Sequence, residues 1–153
     1  MIQVRPRSSP KMIVLDTNVV SELMRSEPEE RVVAWATSQA TAAVGTTSVT
    51  LAEVRSGIVR LPAGRRRKVL LSAAEDVFSA FASSILPFDA DAAHHYADIV
   101  VERERAGAPI SGFDAQIAAI CRAHGAALAT RNTEDFVGLG LSLTNPWGVG
   151  ATA

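Results

Sequence analysis

The chain has 153 residues, of which 48% are hydrophobic and 20% charged; this is the composition of one globular domain and excludes a disordered chain. Its formal net charge of -1 gives it no overall basic field, so any binding of nucleic acid requires a local patch or bridging cations. The single cysteine excludes an internal disulfide, and because no apolar run is long enough to span a membrane, the sequence predicts a cytoplasmic protein.

The N-terminal segment has no periodic pattern. It carries Arg5, Pro6 and further basic and polar residues, which predicts a loose leader over residues 1–11, with Met12 as a candidate for the true start. One domain is predicted over residues 12–147, followed by a short tail at 148–153.

After the leader, segments of strand and helix periodicity alternate. In chain order, the first half predicts a strand at 13–15, a helix over residues 19–24, a helix opened by Pro28, a strand at 43–47 and a helix through Glu53 to Arg60. The second half predicts a long helix from Pro62 to near Ser84, a strand at 85–88, helices capped by Asp89 and Ser111, a strand at 126–130, a turn from Asn132 and a last strand at 139–144. Ser48 or Thr50 is expected to cap the helix that carries Glu53, and Gly125 to end the helix after Ser111. This alternation predicts an α/β fold with a largely parallel sheet and helices on both of its faces.

Acidic residues follow the predicted strands, at the end of the sheet where α/β folds bind ligands. Asp16 ends the first strand, Glu53 and Asp114 lie on early turns of later helices, and residues 132–135 follow the strand at 126–130. Carboxylate oxygens suit Mg²⁺ or Mn²⁺, but a lone carboxylate binds these ions poorly. The pattern therefore predicts a metal site if these acids converge.

Each acid taken alone also has a structural interpretation. Asp16 can cap the helix that follows its strand. Ser111 with Asp114 matches a capping box, and the 132–135 turn resembles another. Glu53 lies off the apolar stripe of its helix, which favours a solvated rim. The occurrence of all these acids at connections between strands and helices favours the metal site.

Other candidate residues give weaker signals. His94 and His95 are adjacent, so on a helix they point about 100° apart and cannot share one ion. The basic run at 65–68 is typical of a solvated helix face, with phosphate binding as the alternative. Cys121 has apolar neighbours and is predicted to be a core residue. The sequence has no glycine-rich nucleotide motif, no nucleophile-elbow serine and no paired cysteines, which argues against nucleotide-binding folds, α/β-hydrolases and zinc sites.

Four segments, in their order and spacing, resemble the motifs of PIN-domain ribonuclease toxins of the VapC type. They are IVLDTN at 13–18, SVTLAEVRSG at 48–57, FDAQIAA at 113–119 and ATRNTEDF at 129–136. The resemblance runs from Met12 to Trp147, and the sequence NPW at 145–147 is similar to the ending of the FitB-like branch. Each motif is short, but the ordered set is specific.

This resemblance implies a three-layer α/β/α PIN-like fold with a mainly parallel central sheet. It also implies an endoribonuclease dependent on Mg²⁺ or Mn²⁺, acting as the toxin of a type II toxin-antitoxin system. Carried over by position, Asp16, Glu53 and Asp114 form the acidic core of the site, with Asp16 and Asp114 as the direct metal ligands.

The fourth position of the site is a departure from the family. The family often has an aspartate where this chain has Asn132, so either Asn132 completes the site in a weaker role or Asp135 serves instead. Thr17 and Asn18 are expected to position the first acid and line the cofactor site by hydrogen bonding, as metal sites commonly require.

The resemblance also implies partners. A homodimer is expected, with RNA as substrate and a small antitoxin of the VapB or FitA type as inhibitor. Apolar helix faces around Val19, Val20, Leu23 and Trp35 are expected to receive the antitoxin tail, with a place in the core as the alternative for these residues.

Two other functions stay open at this point. One is a noncatalytic PIN-like module that binds RNA or protein, its chemistry weakened by Asn132. The other is a receiver-like phosphoryl enzyme with Asp16 as nucleophile, which is ranked last because the chain has neither a second acid directly beside Asp16 nor a clear lysine partner.

Overall fold

The computed structural model describes residues 12–40 and 43–148. The leader predicted at 1–11 lies outside the described residues, as does all of the predicted C-terminal tail except Gly148. Within the described ranges, none of the helices is long and apolar enough to cross a membrane.

The strands and helices follow one another in the predicted order. The first half of the chain contains β1 (Ile13–Leu15), α1 (Thr17–Leu23), α2 (Glu30–Ser38), β2 (Val44–Thr47), α3 (Ser48–Val59) and α4 (Arg65–Ala80). The second half contains β3 (Ile85–Leu86), α5 (Ala90–Arg105), α6 (Gly112–His124), β4 (Ala127–Ala129), a 3-10 turn (Thr133–Phe136) and β5 (Leu143–Thr144).

The sheet is parallel at every strand pair, and its order is β3-β2-β1-β4-β5. The central strand is β1, where Val14 pairs with Gly45 of β2 on one side and with Leu128 of β4 on the other. Because all strands run in one direction, their carboxyl ends lie along the same edge. The residues that follow β1, β2 and β4 are therefore neighbours in space.

Two apolar cores lie on opposite faces of the sheet. Val14 and Leu15 are consecutive on β1, so they point to opposite sides, and both are fully buried. Val14 packs in a core with Ile99 of α5 and the buried face of α6, whereas Leu15 packs in a second core with residues of α1, α3 and α4. The predicted three-layer α/β/α arrangement with a mainly parallel sheet is confirmed.

Four predicted strands are shorter in the structure. Those predicted at 43–47 and 126–130 lose one and two residues, at Val44–Thr47 and Ala127–Ala129. The other two are shorter for reasons of backbone chemistry. The strand predicted at 85–88 ends at Leu86, because the next residue, Pro87, has no N–H to donate to a neighbouring strand. The strand predicted at 139–144 begins only at Leu143, because Gly140 has a φ of 74°, which a pleated strand cannot accommodate.

Predicted helix starts also differ from the structure: α1 begins at Thr17 and not at residue 19, and α2 begins at Glu30, two residues after Pro28. The cap of α3 is neither Ser48 nor Thr50 but Thr47, whose hydroxyl oxygen accepts the backbone N–H of Thr50 at 3.0 Å. The long helix predicted from Pro62 begins at Arg65, after Gly64 in an extended conformation that ends the preceding turn. The caps predicted at Asp89 and Ser111 are confirmed, and Gly125 ends α6 in the left-handed conformation.

Candidate functional site

Asp16 lies at the carboxyl end of the central strand and caps helix α1. One carboxylate oxygen accepts the backbone N–H of Thr17 at 2.8 Å, and the other accepts the hydroxyl of Thr130 at 2.8 Å. The hydrogen bond from Thr17 is the helix cap predicted for Asp16. The side chain is also only 4% exposed, which a cap does not require. Capping requires one oxygen, whereas here both oxygens are held in a buried position that faces the edge of the sheet.

Thr130 joins the ends of two neighbouring strands, and sequence reasoning did not single it out. It follows β4 and is fully buried. Its hydroxyl donates to Asp16 and accepts both the backbone N–H of Asn132 at 3.1 Å and the side-chain amide of Asn18 at 3.4 Å. Asn18 in turn accepts the backbone N–H of Arg131 at 3.2 Å. Thr130, like Asp16, is the first polar residue after an apolar strand, and this position is the signal in the sequence that could have singled it out.

Glu53 lies on α3 and reaches the same site. Its carboxylate accepts the hydroxyl of Thr17 at 2.9 Å, and the residue is half-buried rather than on a solvated rim. Thr17 thus contacts both acids, through its backbone N–H to Asp16 and through its hydroxyl to Glu53. Thr17 therefore lies between the two acids, and its part in lining a cofactor site stays a prediction.

Asp114 lies in the first turn of α6, and the pKa of its carboxyl group is raised. Its backbone N–H donates to the hydroxyl of Ser111 at 3.2 Å, as the predicted capping box requires. Burial raises the pKa of its carboxyl, the nearby Ser111 hydroxyl lowers it, and the negative charge of Asp135 raises it. Asp135 is therefore close enough to Asp114 to repel it.

The charges of Asp16 and its acidic neighbours act on one another. Burial raises the pKa of Asp16 from its ordinary 3.8 to about 6, against the opposing effect of the hydrogen bonds from Thr130 and Thr17. The negative charges of Asp114 and Glu53 contribute smaller increases in this pKa. Asp16, Glu53 and Asp114 thus lie in one electrostatic environment despite their separation along the chain.

Asn132 and Asp135 take different places in the turn after β4. The capping interaction predicted for the Asn132 side chain is wrong, because its backbone carbonyl accepts the N–H of Asp135 at 3.0 Å and the side chain makes no capping bond. Both side chains are exposed. The backbone carbonyl of Asp135 accepts a hydrogen bond from Arg103 at 2.9 Å, which fixes the turn against the end of α5.

The carboxylate oxygens of Asp16 and its acidic neighbours are the type of ligand that a hard divalent cation prefers. Over residues 12–40 and 43–148, no three His, Cys, Asp or Glu side chains are arranged closely enough to hold a metal ion by themselves. Mg²⁺ nevertheless keeps several water ligands and is bound in many proteins through only one or two carboxylates. A cation beside Asp16 and Asp114 would also offset the repulsion and burial that raise both pKa values.

A groove opens beside the acids, between α1, α3 and α4. It has a volume of about 340 Å³, and its lining includes Thr17, Glu53, Arg25, Arg66 and Leu70. Carboxylate and guanidinium groups therefore line one concave surface, with apolar side chains between them. This groove lies next to the site and offers a path for an extended ligand.

The apolar residues expected to receive a partner tail are not all available for it. Val19 and Val20 are fully buried in the core, so the expectation that they receive a tail is wrong. Helix α1 packs between the sheet and neighbouring helices, which leaves these two residues no free face. Leu23 and Trp35 are half-buried at the edge of the same core.

Cys121 is a core residue, as predicted. It is fully buried on α6, and burial raises the pKa of its thiol to about 12, with a further increase from the charge of Asp16. The thiolate needed for reactivity is therefore strongly disfavoured.

Comparison with known proteins gives a consistent result. A sequence profile described as the PIN domain matches residues 13–138. The chain is 43% identical over 137 residues to the VapC ribonuclease Y4jK of Sinorhizobium fredii, covering 89% of this chain and 98% of that protein. It is 40% identical over 137 residues to the toxin FitB of Neisseria gonorrhoeae, covering 89% of this chain and 99% of that protein. The crystal structure of FitAcB from Neisseria gonorrhoeae superposes with a TM-score of 0.84 and 40% identity, covering 90% of this chain and 100% of that chain.

Proposed function

The chain belongs to the PIN-domain family, among the VapC and FitB toxins of toxin-antitoxin systems, and we propose that it is an endoribonuclease dependent on Mg²⁺ or Mn²⁺. The observation that carries this proposal is the buried Asp16 at the carboxyl edge of the sheet, with its pKa raised to about 6. Such an acid, with the charges of Asp114 and Glu53 around it, has the donor chemistry of a cation site.

The residues of the site have distinct parts in this proposal. Asp16 and Asp114 hold the cation, and Glu53 adds a third carboxylate on the side of Thr17. The hydrogen bonds from Thr130 and the backbone of Thr17 fix the Asp16 carboxylate, so that it meets the cation without reorganisation. A bound divalent cation would activate a water molecule and stabilise charge on the phosphodiester that is hydrolysed.

The turn after β4 supplies the fourth polar group of the site. Asp135 acts on the charge of Asp114, whereas Asn132 contributes its backbone to the turn. We therefore assign the charged part of this fourth position to Asp135. Asn18, which ties the end of β1 to Arg131, keeps the turn beside Asp16.

The negative site and the negative substrate are compatible because positive charge lies nearby. Arg25 and Arg66 line the groove beside Glu53. Together with Arg65 they also line a second groove, between the end of α1 and the start of α4, and all three residues are exposed. Guanidinium groups in this position can contact backbone phosphates of RNA while the cation neutralises the carboxylates. This supports the phosphate interpretation of the basic run at 65–68 for Arg65 and Arg66.

The partners proposed for the chain follow from its family. We propose that it acts in the cytoplasm as a homodimer and is silenced by a small antitoxin of the VapB or FitA type. The groove beside Glu53 is the place proposed for the antitoxin tail, because Met24 and Leu70 offer apolar contacts and Arg25 and Arg66 offer charge. It replaces the faces of Val19 and Val20, which are buried.

A cleavage assay tests the proposed activity. Purified protein is incubated with total RNA in the presence of Mg²⁺, Mn²⁺ or a chelator. The wild type should cleave RNA only with the metals, and Asp114→Asn should lower the rate by at least about a hundredfold. Asp89→Asn is the matched control and should cleave like the wild type, because Asp89 also lies at the N-terminus of a helix, as the cap that precedes α5, but is exposed.

The same assay decides against the proposal if the outcome differs. RNA cleavage that persists in the chelator would show that no metal is needed. A wild type without cleavage, whose growth inhibition in cells is unchanged by Asp114→Asn, would identify the chain as a noncatalytic binding module.

A further inference from the structure

Three hydroxyl groups form a line that ends on the carboxylate of Glu53. The hydroxyl of Thr47 lies 3.3 Å from that of Thr50, and the hydroxyl of Thr50 lies 3.2 Å from that of Thr17. The hydroxyl of Thr17 then donates to Glu53 at 2.9 Å. The line runs from the end of β2, through the first turn of α3, to the start of α1.

The direction of this line is fixed by its last member. The Thr17 hydroxyl has a single proton, and it donates that proton to the Glu53 carboxylate. Thr50 must then donate its proton to Thr17, since Thr17 has none left for that contact. By the same reasoning Thr47 donates to Thr50, while its own oxygen accepts the backbone N–H of Thr50.

Burial prevents water from replacing these contacts. Thr47 and Thr50 are both fully buried, so their hydroxyl protons have no solvent to turn to. Removing the Thr50 hydroxyl would leave the Thr17 hydroxyl free to rotate away from Glu53.

Glu53 has few other contacts that could orient it. In the described part of the chain, the two ion pairs are Arg25 with Glu22 and Arg122 with Glu102, and neither includes Glu53. The only hydrogen bond of its carboxylate recorded over these residues is the one from Thr17. A long side chain held by a single hydrogen bond depends on how well the donor of that bond is itself fixed.

We propose that Thr50, supported by Thr47, is a positioning residue of the nuclease site. It holds the Thr17 hydroxyl in the orientation that directs the Glu53 carboxylate toward Asp16. This inference rests on the proposed function, because it assigns to Thr50 a part in the cleavage reaction. Thr50 itself contacts neither the substrate nor the cation.

Matched variants separate positioning from packing. Thr50→Val keeps the shape of the side chain but removes the hydroxyl, and Thr50→Ser keeps the hydroxyl. Thr46→Val is the control, because Thr46 is also fully buried but donates to the backbone carbonyl of Leu15 at 2.9 Å, outside the line. Thr50→Val should lower kcat for RNA cleavage by about tenfold to a hundredfold with little change in KM, whereas Thr50→Ser and Thr46→Val should cleave like the wild type.

A double-mutant cycle tests whether Thr50 acts through Glu53. In a Glu53→Gln background, Thr50→Val should lower kcat by less than about twofold further, because the carboxylate that it positions is already absent. A loss in that background as large as in the wild type would overturn the inference, and so would an equal loss in Thr50→Ser.

The same cycle on protein stability does not depend on cleavage. In chemical unfolding, Thr50→Val and Glu53→Gln should be coupled by at least about threefold in the unfolding equilibrium constant, whereas Thr46→Val and Glu53→Gln should be independent within about twofold. If the wild type cleaves no RNA, the proposed function fails, yet this coupling still decides whether Thr50 acts on Glu53. Independence of Thr50 and Glu53 would overturn the positioning role.

Discussion

Replacing Asp16 with asparagine should stabilise the metal-free protein near neutral pH. The folded protein holds the pKa of Asp16 at about 6, above the ordinary 3.8 expected in the unfolded chain. Between these two values the folded state keeps a proton that the unfolded state releases, so the stability of the wild type falls as pH rises through this window. The asparagine variant has no such proton, so its advantage grows over the same window.

The expected magnitude follows from the two pKa values. Compared with a side chain that is always neutral, an Asp16 whose pKa rises from 3.8 to about 6 on folding lowers the free energy of unfolding. The loss is about 3 kcal/mol at pH 7.5 and about 1 kcal/mol at pH 4.5. Asparagine would place an N–H₂ group against the hydroxyl of Thr130, whose oxygen already accepts two N–H groups, at a cost of about 1 kcal/mol. The variant should thus be more stable by about 2 kcal/mol at pH 7.5 and nearly equal to the wild type at pH 4.5.

Urea unfolding in the presence of a chelator measures this difference at both pH values. Asp89→Asn is the control, because the Asp89 carboxylate also accepts a helix N–H, from Ala92 at 3.0 Å, but is exposed. Asparagine and aspartate are equally good caps, so this control should show no comparable gain. A raised pKa of Asp16 in the folded protein is refuted if Asp16→Asn is the less stable protein at pH 7.5, or if its advantage does not increase between pH 4.5 and pH 7.5.

Three further predictions concern the metal and the turn after β4. Millimolar Mg²⁺ or Mn²⁺, at about a hundred times its Kd, should stabilise the wild type by about 2.7 kcal/mol and raise its Tm by about 5–10 °C. An unchanged Tm of the wild type, or an equal rise in the Tm of Asp16→Asn, would contradict a metal site at Asp16. Asp135→Asn should remove a charge that acts on Asp114 and lower the rate of RNA cleavage by about tenfold or more, whereas Asn132→Ala should lower it less. The reverse ranking in the cleavage assay would assign the fourth position of the site to Asn132. Arg103→Met should destabilise the protein by about 1–3 kcal/mol in urea unfolding, because Arg103 donates to two backbone carbonyls at this turn, those of Asp135 and Val137, and to the carbonyl of Ala108 just after α5. Unchanged stability would show that these contacts do not hold the turn.

The edge of the sheet was predictable because it depends on local pattern. Asp16 interrupts an apolar run, and the alternation of strands and helices already implies parallel strands whose carboxyl ends meet. Ser111 and Gly125 were predictable for a similar reason, since caps act on residues within one turn.

The connections between segments were not predictable, because they depend on strand order. A polar residue directly after an apolar strand could single out Thr130, but its contact with Asp16 depends on β4 lying beside β1, which no local pattern shows. Periodicity likewise placed Glu53 toward solvent, since a helix pattern does not show that the start of α1 lies against that flank. Val19 and Val20 were predicted to be available to a partner but are buried. The apolar stripe of a helix does not show how many neighbouring elements cover it.

Under the proposed assignment, the departure at Asn132 moves the charge of the fourth position to Asp135 and does not remove it. A turn that approaches Asp114 needs a backbone acceptor to close it and a side chain to reach the site, and these tasks need not fall to one residue. In this chain the carbonyl of Asn132 closes the turn on the N–H of Asp135, while the Asp135 charge raises the pKa of Asp114. An exposed amide at position 132 is therefore compatible with an acidic site, because the carboxylate three residues later acts on the same group.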